Sequence, residues 1–229
     1  MWFVTVKTMS LSLNNKNEMG EIMKYTVKKI ITGFLQENCY IVSNGHNALI
    51  IDPGADAQKI IQYIYDEQLV PRAILLTHGH FDHIGAVNAL KETFAIPVFM
   101  SEKEADWLED PEKNLSNTFS PHPVYADKAE FNLDVQNCDR CLGDIHFTMI
   151  PTPGHSEGSI SFLFDDFIIV GDTLFYESIG RSDFPTGDAN TLLNTIRQKF
   201  MTLPDDIIVY PGHGQATTIG HERQHNPYL

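Results

Sequence analysis

The first part of the chain alternates short apolar runs with turn-forming residues, a pattern that predicts β-strands. Residues 25–31, 39–42 and 48–51 predict three successive strands, with turn chemistry at Asn44-Gly45 between the last two. After the Pro53-Gly54 break, apolar residues recur at helical spacing and predict a helix. The residues that carry this spacing are Ile60, Ile61, Ile64, Tyr65 and Leu69.

Strand and helix patterns continue to about residue 108. Residues 73–76 predict a buried strand, and a helix is predicted to begin near Ile84. Ser101 followed three residues later by Glu104 is a capping-box signature, which predicts a further helix that ends near Leu108. The apolar face of the helix after Ile84 consists of Val87, Leu90 and Phe94.

Residues 109–140 break this periodicity, because they are polar and contain several prolines. A loop of that length inside a compact domain is usually a lid, a binding loop or a disordered segment. The order of elements along the whole chain is strand-rich, helical, strand-rich and helical. It predicts an α+β fold in which two sheets pack face to face with helices outside, rather than one doubly wound parallel sheet. The later strands are predicted at 145–150, 159–164, 167–170 and 207–210, and a helix is predicted from about Asp188.

Length and composition fit one large domain. The chain has 229 residues, of which 42% are hydrophobic and 20% are charged, as in globular proteins with a sizeable core. Residues 1–22 lack the apolar core and the small-residue cleavage site of a signal peptide. We interpret them as a disordered leader or a start-site extension, with Met23 as an alternative initiator and residues 23–229 as the domain.

The net charge limits the possible binding partners, and the cysteine content indicates the cellular location. The formal net charge of −14 argues against nucleic acid, and no apolar run approaches the roughly 18 residues needed to cross a bilayer. Three cysteines are too few, and an odd number, for a disulfide framework, so a reducing, cytoplasmic location is expected. Cys138-Asp-Arg-Cys141 is interpreted as a reduced thiol pair near a turn rather than a metal or redox site.

The segment Thr77-His-Gly-His-Phe-Asp-His83 carries the densest chemistry. It places His78, His80, Asp82 and His83 within six positions, and buried imidazoles and carboxylates need partners. A divalent cation supplies such a partner, and zinc, iron and manganese all accept these donors. A catalytic zinc typically takes three protein ligands, so the cluster is too large for one ion.

Three later strands also run into ligand-type residues beside a proline or glycine, which stops the strand. These residues are His155, Asp172 and His213. Taken singly, each could be a surface histidine or a helix cap, and their joint occurrence is what favours a metal site. The other five histidines lack this context and are interpreted as ordinary residues: His46, His122, His146, His221 and His225.

Seven donors suit two metals. Residues i and i+2 of an extended segment point the same way, so His78 and His80 can share one ion, while Asp82 and His83 turn towards the other. A carboxylate can bridge two ions, which nominates Asp172 as the shared ligand. Asp52 also ends a strand and either orients a ligand imidazole through its free N–H or serves as a turn residue before Pro53.

Taken in chain order, five motifs resemble those of the metallo-β-lactamase superfamily, and the resemblance spans residues 50–214. These motifs are Asp52, the cluster from His78 to His83, His155, Asp172 and His213. The resemblance implies an αβ/βα four-layer sandwich with a dinuclear site at one edge of the two sheets. Within the superfamily the motifs look like glyoxalase II, the hydroxyacylglutathione hydrolases, in a short bacterial type without the C-terminal helical region. That group implies that His78, His80 and His155 hold one metal, that Asp82, His83 and His213 hold the other, and that Asp172 bridges them.

The resemblance implies hydrolysis of a thioester, such as a hydroxyacylglutathione, by a metal-bridging hydroxide that Asp82 and Asp172 orient. Zinc is the expected metal, with iron or manganese as alternatives. Residues 180–184 also look like those of persulfide dioxygenases, so a mononuclear-iron oxidoreductase is the main alternative. A non-catalytic module that keeps metal for stability is a further one. Arg181 either binds a substrate carboxylate or is an exposed structural arginine.

Overall fold

The structure is a computed structural model that describes the backbone of residues 25–133 and 138–229, and the side chains of 25–130 and 139–229. The predicted leader, residues 1–22, lies outside the described residues. None of the helices in these two ranges is long and apolar enough to cross a membrane.

Six strands form the first sheet, and they lie side by side in chain order. The first three are antiparallel, and the last three run parallel to the third. Parallel strands need a crossover connection, which helices and turns supply here. The strands are β1 (Thr26–Thr32), β2 (Glu37–Ser43), β3 (Asn47–Ile51), β4 (Val70–Leu75), β5 (Val98–Ser101) and β6 (Phe131–Leu133).

The helices α1 (Ala57–Asp66) and α3 (Val87–Phe94) have the predicted positions, with the short α2 (Phe81–Ile84) before α3. The helix predicted from Ser101 is wrong: two 3₁₀ turns, Glu102–Glu104 and Trp107–Glu109, stand in its place. Ser101 Oγ accepts a hydrogen bond from the N–H of Lys103, but Glu104 is fully buried and bonds elsewhere, so the capping box is not made.

Residues 109–140 are more structured than their composition indicates. The short helix α4 (Ser116–Phe119) interrupts them, β6 adds a strand to the first sheet, and β7 (Cys138–Leu142) begins the second. These elements have three to five residues each, which is too short to show a period in the sequence. Cys141 is exposed, and its Sγ lies 3.5 Å from His146 Nε2 just before the turn at Gly143.

The second sheet also has six strands, in the order β14-β13-β10-β9-β8-β7. β10 and β13 are parallel, and β8 and β10 each pair antiparallel with β9, so β8, β10 and β13 run the same way. These strands are β8 (Ile145–Pro151), β9 (Ile160–Leu163), β10 (Phe167–Gly171), β13 (Ile208–Pro211) and β14 (Thr217–Thr218), and the hairpin β11 (Leu174–Phe175) and β12 (Ser178–Ile179) stands apart.

Two helices belong to the part of the chain that forms the second sheet, one before β13 and one after β14. α5 (Ala189–Thr195) begins at Asp188, whose carboxylate accepts the N–H of Thr191 as an N-cap, and a π-helical turn Ile196–Phe200 extends it. α6 (Ile219–His225) is capped in the same way by Thr218.

Three apolar layers hold the elements together. Alternate side chains of the first sheet, such as Ile41 and Ile50, pack against α1 and α3, while Tyr40 and Leu49 face the second sheet. The other face of the second sheet packs against α5 through residues such as Leu192. Helix, sheet, sheet and helix therefore form four layers, and the predicted α+β sandwich is confirmed.

Candidate metal centre

The strands that carry ligand-type residues end at one edge of the sandwich. β3 leads into Asp52, and β4 leads into His78. In the second sheet β8, β10 and β13 lead to His155, Asp172 and His213. Backbone hydrogen bonds join the two edges, from Ile160 N–H to the Thr77 carbonyl at 2.8 Å and from Asn38 N–H to the Gly212 carbonyl at 2.8 Å.

All seven predicted donors meet at this edge, in two groups of three and one shared residue. The donor atoms of His78, His80 and His155 lie within 4.8 Å of one another, and so do those of Asp82, His83 and His213. Asp172 contacts both groups, since its Oδ2 lies 3.8 Å from His155 Nε2 and 3.6 Å from His213 Nε2. Its Oδ1 lies 3.5 Å from His83 Nε2.

Several of these atoms have no partner in the protein. Within the described part of the chain, the Nε2 atoms of His78, His80 and His83 and Oδ1 of Asp172 are buried without a hydrogen bond. Buried polar atoms are normally satisfied, so several unsatisfied ones within one cluster of donor residues call for a ligand. His80 Nδ1 also lies only 3.0 Å from His155 Nε2. Nitrogen and carboxylate donors in this arrangement fit divalent cations such as zinc, iron or manganese.

The opposite nitrogen of four rings is held by a protein acceptor. Nδ1 of His155 donates to the Arg181 carbonyl at 2.7 Å, and Nδ1 of His213 to the Leu35 carbonyl at 3.2 Å. Nδ1 of His83 lies 3.1 Å from Asp52 Oδ2, and Nδ1 of His78 lies 3.0 Å from Thr77 Oγ1. With these bonds assigned, Nε2 of each ring keeps its lone pair for a cation, the usual support of a metal-binding histidine.

Asp52 belongs to this supporting layer. Its carboxylate accepts the Thr77 N–H at 2.7 Å and the Thr77 hydroxyl at 2.6 Å, besides the His83 ring. The donor atoms of Asp52, His78 and His83 also lie within 4.8 Å of one another. A metal there would have to displace three hydrogen bonds, so we assign Asp52 to positioning His83.

Burial favours the neutral, metal-binding form in two of the five donor imidazoles. Burial, followed by the nearby His155 ring, lowers the pKa of His80 to about 3, and burial with the neighbouring His83 holds the pKa of His78 well below its usual range. Burial opposes protonation of His83 and His213 too, but the nearby carboxylates of Asp82 and Asp172 outweigh it and raise the pKa of both rings, so a cation there would have to replace a proton. Burial opposes ionisation of Asp172, but the adjacent His83 holds its pKa well below the usual value. Neutral imidazoles and an ionised carboxylate are the forms that bind cations.

Glu104 is a site residue that the sequence did not reveal. Its buried carboxylate accepts the N–H groups of Gly79 and Gly158, each at 2.7 Å, and the Ser156 hydroxyl at 2.6 Å. Burial raises its pKa to about 7, against the opposing effect of the Ser156 hydrogen bond. The capping-box pattern offered a local explanation of this glutamate, and no pattern in the sequence indicates contacts that span 25 and 54 residues.

Glu37 is a second such residue. It is 1% exposed and accepts the Thr32 hydroxyl at 2.7 Å, while its Oε1 lies 3.9 Å from His83 Nδ1 without a hydrogen bond. Burial raises its pKa well above the usual value. It therefore lies behind His83, on the side away from the candidate metals.

Arg181 lies outside the two groups of donors. Its side chain is 60% exposed, forms two hydrogen bonds to Asp183 and stacks 4.1 Å from the centre of the Phe184 ring. Its backbone carbonyl, rather than its guanidinium, contacts His155. Substrate binding by Arg181 stays a prediction. The five histidines interpreted as ordinary are absent from the donor groups in the described ranges.

Comparison with known proteins gives the family. The model of the metallo-beta-lactamase superfamily matches residues 32–213. A probable metallo-hydrolase of Streptococcus pyogenes is 43% identical over 212 residues, which cover 89% of this chain and 90% of that protein. A hydroxyacylglutathione hydrolase, GloC, of Haemophilus influenzae is 37% identical, covering 87% and 95%.

Solved structures agree with this. The B3 metallo-beta-lactamase BLEG-1 is 44% identical with a TM-score of 0.86, covering 89% of this chain and 99% of that one. TTHA1623, solved in a di-iron-bound form, is 33% identical with a TM-score of 0.78, covering 89% and 100%. ETHE1 from Myxococcus xanthus is 28% identical with a TM-score of 0.71, covering 88% and 83%. The chain belongs to the metallo-beta-lactamase superfamily.

Proposed function

We propose that this chain, a metallo-hydrolase of the superfamily, uses two divalent metals to hydrolyse acyl thioesters such as hydroxyacylglutathione. The observation that carries the proposal is the pair of three-donor groups that share Asp172 and contain buried nitrogens without a hydrogen-bond partner in the described residues. The 37% identity to a hydroxyacylglutathione hydrolase supports the choice of substrate.

The seven residues would divide between the two metals as the family resemblance implies. His78, His80 and His155 would hold one ion, Asp82, His83 and His213 the other, and Asp172 would contact both. Zinc is the metal we propose, and iron fits the same donors, as the di-iron form of TTHA1623 illustrates for that protein. When bound, two such ions supply Lewis acidity that lowers the pKa of water and polarises an acyl carbonyl.

The two carboxylates face the accessible side of the cluster. The side chains of Asp82 and Asp172 are 16% and 12% exposed, whereas His83 is fully buried. Asp82 Oδ2 and Asp172 Oδ2 both approach His213 Nε2, at 3.2 and 3.6 Å, so they border one space. In that space their oxygens would accept hydrogen bonds from a water molecule and orient its lone pair towards the acyl carbon.

Water is the nucleophile in this scheme. Its oxygen bonds to the acyl carbon, and the carbon–sulfur bond breaks. One proton of the water goes to the sulfur of the leaving thiol, and the other stays with the carboxylic acid. The cysteine side chains in the described ranges do not fit that role. Cys39 is fully buried, and burial raises the pKa of its thiol well above the usual value, while Cys141 lies exposed on β7.

Two other activities are the alternatives to thioester hydrolysis. The resemblance of residues 180–184 to persulfide dioxygenases keeps a mononuclear-iron oxidoreductase as the alternative. BLEG-1, at 44% identity, makes β-lactam hydrolysis a second comparison. The group of Asp82, His83 and His213 favours a two-metal hydrolase over the oxidoreductase, because a single iron would leave those donors unused.

The experiment combines metal analysis with three assays on the same protein preparation. We expect about two metal ions per chain and hydrolysis of lactoyl-glutathione, with little β-lactam hydrolysis and no oxygen uptake on glutathione persulfide. One iron per chain with oxygen uptake and no thioester hydrolysis would overturn the proposal. Asp172→Ala should lose thioester hydrolysis and metal together, while Asp139→Ala, an exposed aspartate on β7, should keep both.

A further inference from the structure

A groove opens beside Asp82, on the accessible side of the candidate metal centre. Its volume is about 530 Å³. One wall is the turn between β1 and β2, with Phe34 and Leu35 at its tip, and the other is the segment that carries Pro123 and Tyr125. Phe81, the neighbour of Asp82, lies between them. A small molecule in this groove would therefore end next to a candidate metal ligand.

The turn that forms the first wall is fixed to the metal centre. The Leu35 carbonyl accepts the Nδ1–H of His213 at 3.2 Å, and the Gly33 N–H donates to Asp56 at 3.2 Å. Phe34 stacks on Phe81, with ring centroids 6.3 Å apart. The groove and the donor group of Asp82 and His213 are thus one connected piece of structure.

The surface of the groove is unusually apolar for an exposed region. Phe34 is 61% exposed, Tyr125 59% and Leu35 42%. Single exposed apolar residues are common, but several large ones that line one cavity mark a binding site. An apolar group that covers them would remove their surfaces from water, and the free energy of the complex would fall with each methylene that is buried.

The charges that line the groove do not favour an anionic ligand. Among the described residues that line it, the charged ones are Asp56 and Asp82, and none is lysine or arginine. Asp56 is itself paired with Lys59 at 2.7 Å. The carboxylates of a carrier such as glutathione would find no lysine or arginine among these lining residues to pair with.

We infer that this groove is the subsite for an uncharged, apolar acyl group of the thioester substrate. The inference rests on the proposed thioesterase function and deepens it: the apolar acyl group fills the groove, and the charged carrier lies outside it. An aliphatic or aromatic acyl chain is then preferred over a short hydroxyacyl group. The selectivity of the enzyme would come from the acyl side of the scissile bond.

The kinetic test uses one carrier and varies the acyl group. From acetyl- through butanoyl- to hexanoyl-glutathione, kcat/KM should rise roughly two- to fourfold per added methylene, the increment expected for burying a methylene. Lactoyl-glutathione is the hydroxyacyl comparison and should be a poorer substrate than hexanoyl-glutathione. Phe34→Ala and Tyr125→Ala should each lower the ratio of kcat/KM for the hexanoyl substrate to kcat/KM for the acetyl substrate by up to about tenfold, and an unchanged ratio in both variants would count against the groove. Tyr65→Ala, an equally exposed tyrosine on α1, is the matched control and should keep the wild-type ratio.

A binding measurement separates this inference from the proposed function. S-hexyl-glutathione, a thioether that cannot be hydrolysed, should bind at least about tenfold more tightly than S-methyl-glutathione, and Phe34→Ala should remove the difference. If this preference is found but no thioester is hydrolysed, the groove stands and the thioesterase proposal fails. If the two thioethers bind equally and kcat/KM does not change along the acyl series, the groove assignment is overturned.

Discussion

The carboxylate of Glu104 accepts a hydrogen bond from the backbone N–H of Gly79 at 2.7 Å, and Gly79 is the residue between His78 and His80. The same carboxylate accepts the Gly158 N–H and the Ser156 hydroxyl, which follow His155 in the chain. One buried glutamate therefore ties together the two loops that carry the first group of three imidazoles. It contributes to the metal centre through the backbone.

Replacing Glu104 with glutamine tests this role. An amide nitrogen cannot accept a hydrogen bond, so at least one of the three donors loses its partner, which costs roughly 1–3 kcal/mol of unfolding free energy. Urea unfolding measures the loss. Glu102→Gln, on the same 3₁₀ turn but exposed, should leave stability within about 0.5 kcal/mol. Equal stability of the two variants would contradict the role of Glu104.

Glu104 also predicts a pH dependence of stability. Burial raises its pKa to about 7 in the folded chain, above the value of 4.5 of an ordinary glutamate. The folded state thus holds a proton that the unfolded state releases, so this contribution is present below pH 4.5 and is lost as pH rises through about 7. The stability difference between wild type and Glu104→Gln should shrink between pH 5 and pH 8, as urea unfolding at several pH values would measure. A difference that grows over this range would show that the sign is wrong.

Asp52 should affect metal affinity rather than the fold alone. In Asp52→Asn an amide replaces one of the oxygens that hold Thr77 and the Nδ1–H of His83, so His83 loses its fixed orientation. Loss of such a supporting partner typically lowers metal affinity about 10–100-fold. Competition with a chromogenic chelator measures the affinity. Asp66→Asn, an exposed aspartate of α1, is the control, and unchanged affinity in Asp52→Asn would refute the positioning role.

Gly212 is a backbone position at this centre that has no room for a side chain. A Cβ atom there would lie 2.2 Å from Asp172 Oδ1 and 2.8 Å from His83 Cε1, so both residues would have to move. Gly212→Ala should lose metal and thioester hydrolysis while its circular dichroism spectrum stays native. Gly214→Ala is the matched control, because its φ of +80° strains alanine by about 1–2 kcal/mol but no atom lies within 4 Å. Full metal content in Gly212→Ala would be inconsistent with this geometry.

The parts of the site that the sequence predicted are those with a local signal. His155, Asp172 and His213 each follow a buried strand at a proline or glycine, so parallel strands bring them to one edge. Short apolar runs between turn-forming residues predicted strands of both sheets, because strands such as β2, β3 and β10 are buried on both faces between the layers. The leader and the thiol pair at Cys138 depend on residues or side chains outside the described ranges and stay predictions.

The parts that the sequence missed depend on contacts between distant segments. Glu104 matched a capping box, and its true partners lie on loops that only the folded chain brings near it. The groove joins the turn at Phe34 to the segment at Tyr125, which are far apart in the chain and have no shared pattern. Residues 109–140 contain elements too short for periodicity to show.

Anomalous diffraction from crystals grown with zinc would test the dinuclear centre itself. We predict two peaks of similar height, about 3.5–4 Å apart, one within bonding distance of His78, His80 and His155 and the other beside Asp82, His83 and His213. Asp172 should contact both peaks. A single peak, with Asp82 and His213 turned away from it, would contradict the two-metal account and the hydrolytic function proposed from it.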